Sequence, residues 1–134
     1  MLLAHDTLVA VTDGEKLRLF RNEGREPQID LVELPEPGLH VANTGSGGRH
    51  HSSTANPDDS RLREDDFAAA VAAYLNREAL TETFEHLVLI ADPRTLGELR
   101  KHFQASLRAK LTGELDKDLV KHSVEAIENT LASA

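Results

Sequence analysis

The sequence predicts one α/β domain, because strand-like and helix-like patterns follow one another in a fixed order along its 134 residues. Three β-prone runs come first, and helix, strand, helix, strand and helix patterns follow them. A chain of this length has room for one domain that buries about two thirds of its unfolded surface. With only four Phe and one Tyr, the core must consist of Leu, Val, Ile and Ala.

The first three β-prone runs predict a meander of three strands. Residues 7–13 and 16–22 are joined through Asp13 and Gly14, a dipeptide that tolerates the positive φ angles of tight hairpin turns. In the second run, apolar residues alternate with charged ones, which gives that strand one buried and one solvated face. Gly24 and Pro27 then break the chain before a third alternating run at residues 28–34.

The remaining patterns alternate between helix and strand. Apolar residues at helical spacing after an acidic first turn predict the first helix, and four consecutive large apolar residues predict a central strand. Asp92 and Pro93 suit the N-cap and first position of the second helix. The predicted elements are a helix at residues 62–80, a strand at 86–91, a helix with its apolar face running to 107, a strand at 109–116 and a helix capped by Ser123.

These connections predict the order of the strands in the sheet. A meander makes the first three strands antiparallel, and each helical crossover returns the chain parallel. The expected order is therefore 3-2-1-4-5 with about three helices on the faces, which is a ribonuclease-H-like mixed sheet. Strands 1 and 4 then lie adjacent and parallel, and their carboxyl ends form the crevice where open α/β sheets bind ligands.

A long Gly-rich loop at residues 35–60 interrupts the single domain that we predict for residues 1–134. It has no apolar period, and a structureless loop of this length inside a compact domain is usually functional or disordered. Its Gly-rich centre lacks the Lys-Ser/Thr of a phosphate-binding P-loop. Two interpretations remain open, a flexible linker and a recognition arm.

Three carboxylates are candidate metal ligands at the predicted crevice. Asp13 and Asp92 end strands 1 and 4, and Asp66 opens the first helix. Such carboxylates hold Mg²⁺ in nucleases of the ribonuclease H type, which is the alternative function. The structural interpretation is that Asp before Gly forms a turn, Asp before Pro caps a helix, and acidic residues complement a helix dipole. We predict no cofactor except Mg²⁺ under this alternative.

Composition limits the compartment and the partners. The absence of cysteine excludes disulfides and thiolate metal sites and suits a reducing compartment, so we predict a cytoplasmic protein. Neither a signal peptide nor an apolar stretch of membrane-spanning length is apparent, so no membrane association is expected. A net charge of −8 opposes general attraction to polyanions, and nucleic-acid binding would need a local basic patch.

The order of these segments resembles the central domain of the archaeal and eukaryotic peptide-chain release factors. It is closer still to that domain's bacterial relatives, which are called host attachment proteins. Residues 87–99 and 110–122 carry most of the resemblance, and the hairpin and third strand also match. In release factors, the loop after the third strand ends in a Gly-Gly-Gln tip that enters the peptidyl transferase centre and helps water attack the peptidyl-tRNA ester.

The corresponding loop of this chain departs from that tip at one position. Arg49 follows a Gly-Gly pair where the Gln would be, and no Gln lies between Gln28 and Gln104. The resemblance therefore implies binding of a ribosome, a tRNA or a protein partner, and leaves open both catalysis and the oligomeric state. The implied partner-binding residues are Gly47, Gly48, Arg49, His50 and His51.

Overall fold

The structure, a computed structural model, describes residues 1–41 and 57–134. Its strands are β1 (Leu8–Thr12), β2 (Leu17–Asn22), β3 (Leu31–Glu33), β4 (Leu87–Ala91) and β5 (Leu111–Leu115). Its helices are α1 (Pro57–Leu80), α2 (Pro93–Arg100), α3 (Ala105–Arg108) and α4 (Val124–Ser133). Among the helices of these residues, none is long and apolar enough to cross a membrane.

The five strands form one mixed sheet in the order β3-β2-β1-β4-β5, which confirms the predicted ribonuclease-H-like order. In the centre, Val9 of β1 pairs antiparallel with Phe20 of β2 and parallel with Val88 of β4. Every residue of β1 and β4 is buried. Continuous apolar sequences such as that of β4 mark strands that are covered on both faces, as these two strands are.

Alternate side chains of the central strands enter two separate cores. On one face, Ala10 and Leu89 pack with residues of α1, α2 and α3. On the other face, Val9 and Ile90 pack with Ile127 of α4. Because side chains alternate between the two faces along a strand, each face has its own core. Helices α1, α2 and α3 cover one face, and α4 covers the other.

The second predicted helix is divided into α2 and the single turn α3. Asn76 of α1 is buried and holds the intervening chain, since its Nδ2 donates to the His102 carbonyl at 2.9 Å and its Oδ1 accepts from the Gln104 N–H at 3.0 Å. Leu99 and Leu107 are both fully buried on either side of the break. The spacing of buried apolar residues therefore continues across the break. This explains why the sequence pattern predicted one continuous helix.

The predicted loop at residues 35–60 is shortened at its end by α1. This helix begins at Pro57, so the last four residues of the predicted loop are helical. Near the start of the loop, Leu39 packs against the core beneath α1. Residues 42–56 lie outside the described residues, and with them lie Gly47, Gly48, Arg49, His50 and His51.

Candidate functional site

The carboxyl edge of the sheet brings together the strand ends that precede Asp13 and Asp92. β1, β4 and β5 are mutually parallel, and β3 has the same direction because both β1 and β3 are antiparallel to β2. The carboxyl ends of four strands therefore meet at one edge. The turn between β1 and β2, the start of α2 and the first half of α1 lie there too, since Gly14 contacts Glu64 of α1.

Asp13 organises the turn between β1 and β2. Its Oδ1 accepts hydrogen bonds from the N–H groups of Glu15 and Lys16, both at 2.8 Å. The Asp13 N–H donates to the Lys16 carbonyl at 3.1 Å and closes the hairpin. An Asp side chain that bonds the backbone two and three residues ahead stabilises a tight turn. The structural interpretation of Asp13 is thus supported.

Gly14 is required for a different reason from the one its sequence context suggested. Within the described part of the chain, no glycine has a positive φ angle. A Cβ atom at position 14 would instead lie 2.7 Å from Cγ and 3.0 Å from Cβ of Glu64. The predicted hairpin is confirmed, but its turn uses no positive φ at Gly14, and the close approach of α1 to the hairpin explains the glycine.

Arg94 ties α1 to the start of α2 at the same edge. Its Nη1 donates to Glu64 Oε1, and its Nη2 donates to Asp65 Oδ1 at 2.9 Å. Two residues earlier, Asp92 caps α2 by accepting from the Thr95 N–H at 3.2 Å. Asp92 was correctly predicted as a cap, but Arg94 was missed because its partners are distant in sequence. The helix α1 begins at Pro57, so Glu64, Asp65 and Asp66 lie in its third turn and the prediction that they form its first turn was wrong.

The three candidate metal ligands have individual roles in the structure. The Asp13 and Asp92 carboxylates accept backbone hydrogen bonds, and Asp66 also has an interaction partner. In residues 1–41 and 57–134, no group of three His, Asp or Glu side chains is arranged to hold a metal ion. The described residues therefore do not bring Asp13, Asp66 and Asp92 together as a three-carboxylate site.

Arg18 joins the strands to the segment before α4. Its Nε and Nη2 donate to the two carboxylate oxygens of Glu33, each at 2.9 Å, and its Nη1 donates to the carbonyls of Val120 and His122, each at 2.8 Å. The bidentate hydrogen bond from Arg18 lowers the pKa of Glu33, and the same bond raises the pKa of Arg18. This clamp fixes β3 at the edge where residues 34–41 leave the sheet.

A cleft of about 440 Å³ lies beside the Arg18 clamp. Its lining residues are Asp13, Glu15, Lys16, Arg18, Val120 and Lys121. Within the described ranges, neither Lys16 nor Lys121 forms an ion pair, whereas Arg18 is paired with Glu33. The cleft thus combines these cations with the carboxylates of Asp13 and Glu15, and Lys16 also helps to lower the pKa of Glu33.

Replacing Gly14 by Ala is expected to destabilise the fold by about 1 to 2 kcal/mol, because the new methyl group overpacks the contact with α1. Urea denaturation measures the effect. The cost should fall by at least half in a Glu64→Ala background, where the Cγ and Cδ atoms that a Cβ would meet are absent. Gly97→Ala is the matched control, since nothing lies within 4 Å of that position in α2, and it should not lose stability. A Gly14→Ala cost that is unchanged by Glu64→Ala would contradict the packing explanation.

Two comparisons with known proteins relate the chain to a family. The model of bacterial archaeo-eukaryotic release factor family 12 matches residues 6–131. A protein of Rickettsia prowazekii (strain Madrid E), the uncharacterized protein RP470, is 38% identical over 139 residues, which cover 92% of this chain and 91% of that protein. The predicted relationship to release factors is confirmed, and the chain belongs to bacterial archaeo-eukaryotic release factor family 12.

Proposed function

We propose that this chain is a release-factor-like binding domain that contacts a ribosome, a tRNA or a protein partner through its Gly-rich loop. The residues assigned to this contact are Gly47, Gly48, Arg49, His50 and His51. The family match carries the proposal, because it spans residues 6–131 and so includes this segment. The proposal also places the protein in the cytoplasm and requires no cofactor.

The structure around the loop supports this role by fixing both of its flanks at one edge of the sheet. β3 ends at Glu33, which is held by Arg18, and the first half of α1 is held through Glu64 and Asp65 by Arg94. Rigid elements at both ends are the usual support of a binding loop. The described residues on either side of the loop are thus anchored at the edge at which open α/β sheets bind ligands.

Charge distribution adds a second argument. Residues 37–57 contain no Asp or Glu, and they include Arg49 and three histidines, although the whole chain has a net charge of −8. The net negative charge of the protein would repel a polyanionic partner, and this repulsion would be weakest near residues 37–57.

The proposal assigns binding rather than hydrolysis. Arg49 occupies the position after the Gly-Gly pair, and its cationic side chain lacks the amide oxygen and nitrogen of Gln. Arg suits contacts with phosphate groups, because its planar fork of donors matches phosphate oxygens. The same position that departs from the release-factor tip thus favours a contact with an RNA backbone or an acidic surface.

Replacing residues 43–56 by a short Gly-Ser linker tests the proposal. Crosslinked cell lysate is sedimented on a sucrose gradient, and the purified variant is unfolded in urea. We expect the wild-type protein in the ribosomal fractions and the variant in the soluble top fractions. Stability should change by about 1 kcal/mol or less, because loop-closure entropy varies slowly with length.

A control variant, Lys117→Gly with Asp118→Ser, alters an exposed connection without changing the net charge and should sediment like the wild type. A wild-type protein found only in the top fractions, and absent from every pull-down, would refute the proposed binding. A variant that keeps all wild-type partners would show that the loop is not the recognition element.

A further inference from the structure

The outer side of α1 carries an apolar stripe that is accessible to solvent. Leu62 and Leu80 are 60% and 64% exposed, and between them Ala73 is exposed and Ala69 is half-buried. These four residues follow one another at intervals of seven, four and seven, so they lie on one side of the helix. The side that packs on the sheet carries different residues, such as the fully buried Leu75. The helix α1 therefore has a second apolar side.

The second half of this stripe borders a groove of about 350 Å³. The groove is lined by Ala69, Ala73 and Leu80 of α1, and by His102 and Gln104 of the segment between α2 and α3. Small side chains at a helix surface allow another helix to approach closely and to insert a large side chain between them. The groove thus suits an apolar side chain of a second helix.

The stripe has the same order of residue types in both directions along α1. Leu62 and Leu80 lie nine residues before and after Val71, and Ala69 and Ala73 lie two residues before and after it. A second copy of α1 that runs antiparallel and is centred at the same residue therefore places its Leu62 beside Leu80 and its Ala69 beside Ala73. Each copy then inserts its Leu62 into the groove of the other.

The charges at the two ends of the stripe favour the antiparallel direction. Residues 57–66, which surround Leu62, include five acidic and two basic residues. At the other end, Arg77 lines the groove and forms no ion pair within the described residues, and no acidic residue lines the groove. Antiparallel pairing brings the acidic start of each helix to Arg77 of the other, whereas parallel pairing would place the two acidic ends together.

We infer that this chain forms a homodimer in which the outer sides of two α1 helices pack antiparallel about a two-fold axis near Val71. The inference goes beyond the proposed function and does not depend on it, because it concerns a different surface. One helix and the adjoining segment supply the contact, so the interface is small and the dimer should dissociate on dilution. Since α1 begins near the hairpin at Gly14, the carboxyl edges of the two sheets point in opposite directions.

Sedimentation equilibrium of the full chain at a series of protein concentrations measures the dimer. The average mass of the wild type should rise from the monomer value of 14.7 kDa towards twice that value. Ala73→Glu should weaken dimerisation at least about tenfold, because it places two carboxylates in the apolar centre of the interface. Ala73 is exposed in the monomer, so this variant should remain folded, as thermal unfolding checks.

Ala132→Glu is the matched control. Ala132 is exposed on α4, which covers the opposite face of the sheet, and the substitution makes the same change in net charge. It should dimerise within about twofold of the wild type, because α4 is not part of the interface. The inference is overturned by equal weakening in both variants, by no weakening in Ala73→Glu, or by a wild type that remains monomeric up to about 1 mM.

Disulfide crosslinking tests the direction and register of the pairing, because the chain has no cysteine of its own. Leu62→Cys and Leu80→Cys are prepared as separate variants and oxidised alone and as a mixture. Antiparallel pairing places position 62 of one copy beside position 80 of the other, while the same position in the two copies is separated by about 27 Å along the helix. The mixture should therefore crosslink at least about tenfold faster than either variant alone. Crosslinking of either variant alone that is as fast as that of the mixture would overturn the antiparallel pairing.

Discussion

Asn22→Ala is expected to lower the free energy of unfolding by about 3 to 5 kcal/mol, the cost of breaking a buried hydrogen-bond network. Asn22 is fully buried at the end of β2. Its Nδ2 donates to the carbonyls of Leu3 at 3.3 Å and Ala4 at 3.1 Å, and its Oδ1 accepts from the N–H groups of Gly24 and Asp30 at 3.0 Å. Alanine would leave these backbone groups without their partner.

This side chain sets the path of the chain into β3, because it binds both ends of the connection between β2 and β3. Urea denaturation at constant temperature measures the loss. Asn129→Ala is the control, since Asn129 is exposed on α4 and Ala has the higher helix propensity, so its stability should change by less than about 0.5 kcal/mol. A loss of under about 1 kcal/mol for Asn22→Ala would show that water replaces the network.

Features that are determined by neighbouring residues were predicted correctly from the sequence. The two helix caps are confirmed, because Asp92 accepts from the Thr95 N–H and Ser123 Oγ accepts from the Ala126 N–H at 3.1 Å. The apolar run of β4 was correctly interpreted as a central strand. Strand order then followed from the handedness and brevity of connections, which depend on element order rather than on individual contacts.

Features with partners distant in sequence could not be predicted. The break between α2 and α3 depends on Asn76, which lies 26 residues before His102, and nothing in the local apolar period reports that contact. Gly14 was interpreted from its turn context, although its neighbour is Glu64 of α1. In both cases a side chain from α1 determines the local structure. The position of α1 against the sheet depends on the whole folded domain and cannot be inferred from nearby residues.

For the two strand-end carboxylates, the sequence predicted both their position and the turn and cap roles that the structure supports. Strand topology correctly located Asp13 and Asp92 at the carboxyl edge, as the parallel pairing of β1 and β4 shows. Their hydrogen bonds then favour the turn and the cap over a shared metal ion. Arg94 and Arg18 were not nominated, because an ion pair depends on which acidic residues the fold brings near each cation.

Arg18→Met is expected to lower the free energy of unfolding by about 2 to 3 kcal/mol. The methionine keeps the apolar stem over Phe20, whose ring centre lies 5.1 Å from the guanidinium carbon. It removes the donors to Glu33 and to the carbonyls of Val120 and His122. Since the Arg18 side chain is only 15% exposed, water can replace these hydrogen bonds incompletely.

Arg94→Met is the matched control for Arg18→Met. Arg94 also binds acidic side chains, but it and its partners Glu64 and Asp65 are 35% to 41% exposed. Exposed ion pairs contribute about 1 kcal/mol or less, so this variant should be clearly less destabilised than Arg18→Met. Equal losses in the two variants would show that the hydrogen bonds from Arg18 to the Val120 and His122 carbonyls contribute nothing beyond an exposed ion pair.

The pH dependence separates the ionic from the neutral part of the Arg18 clamp. Arg18 lowers the pKa of Glu33 in the folded state, so the ion pair stabilises the fold fully above the unfolded-state pKa of this carboxyl, and its contribution disappears as the pH falls through the lowered value. The stability gap between the wild type and Arg18→Met should therefore narrow in acid. It should not close, because the hydrogen bonds from Arg18 to the Val120 and His122 carbonyls do not titrate. A gap that stays constant from neutral pH down through that carboxyl transition would show that Glu33 contributes nothing to the clamp.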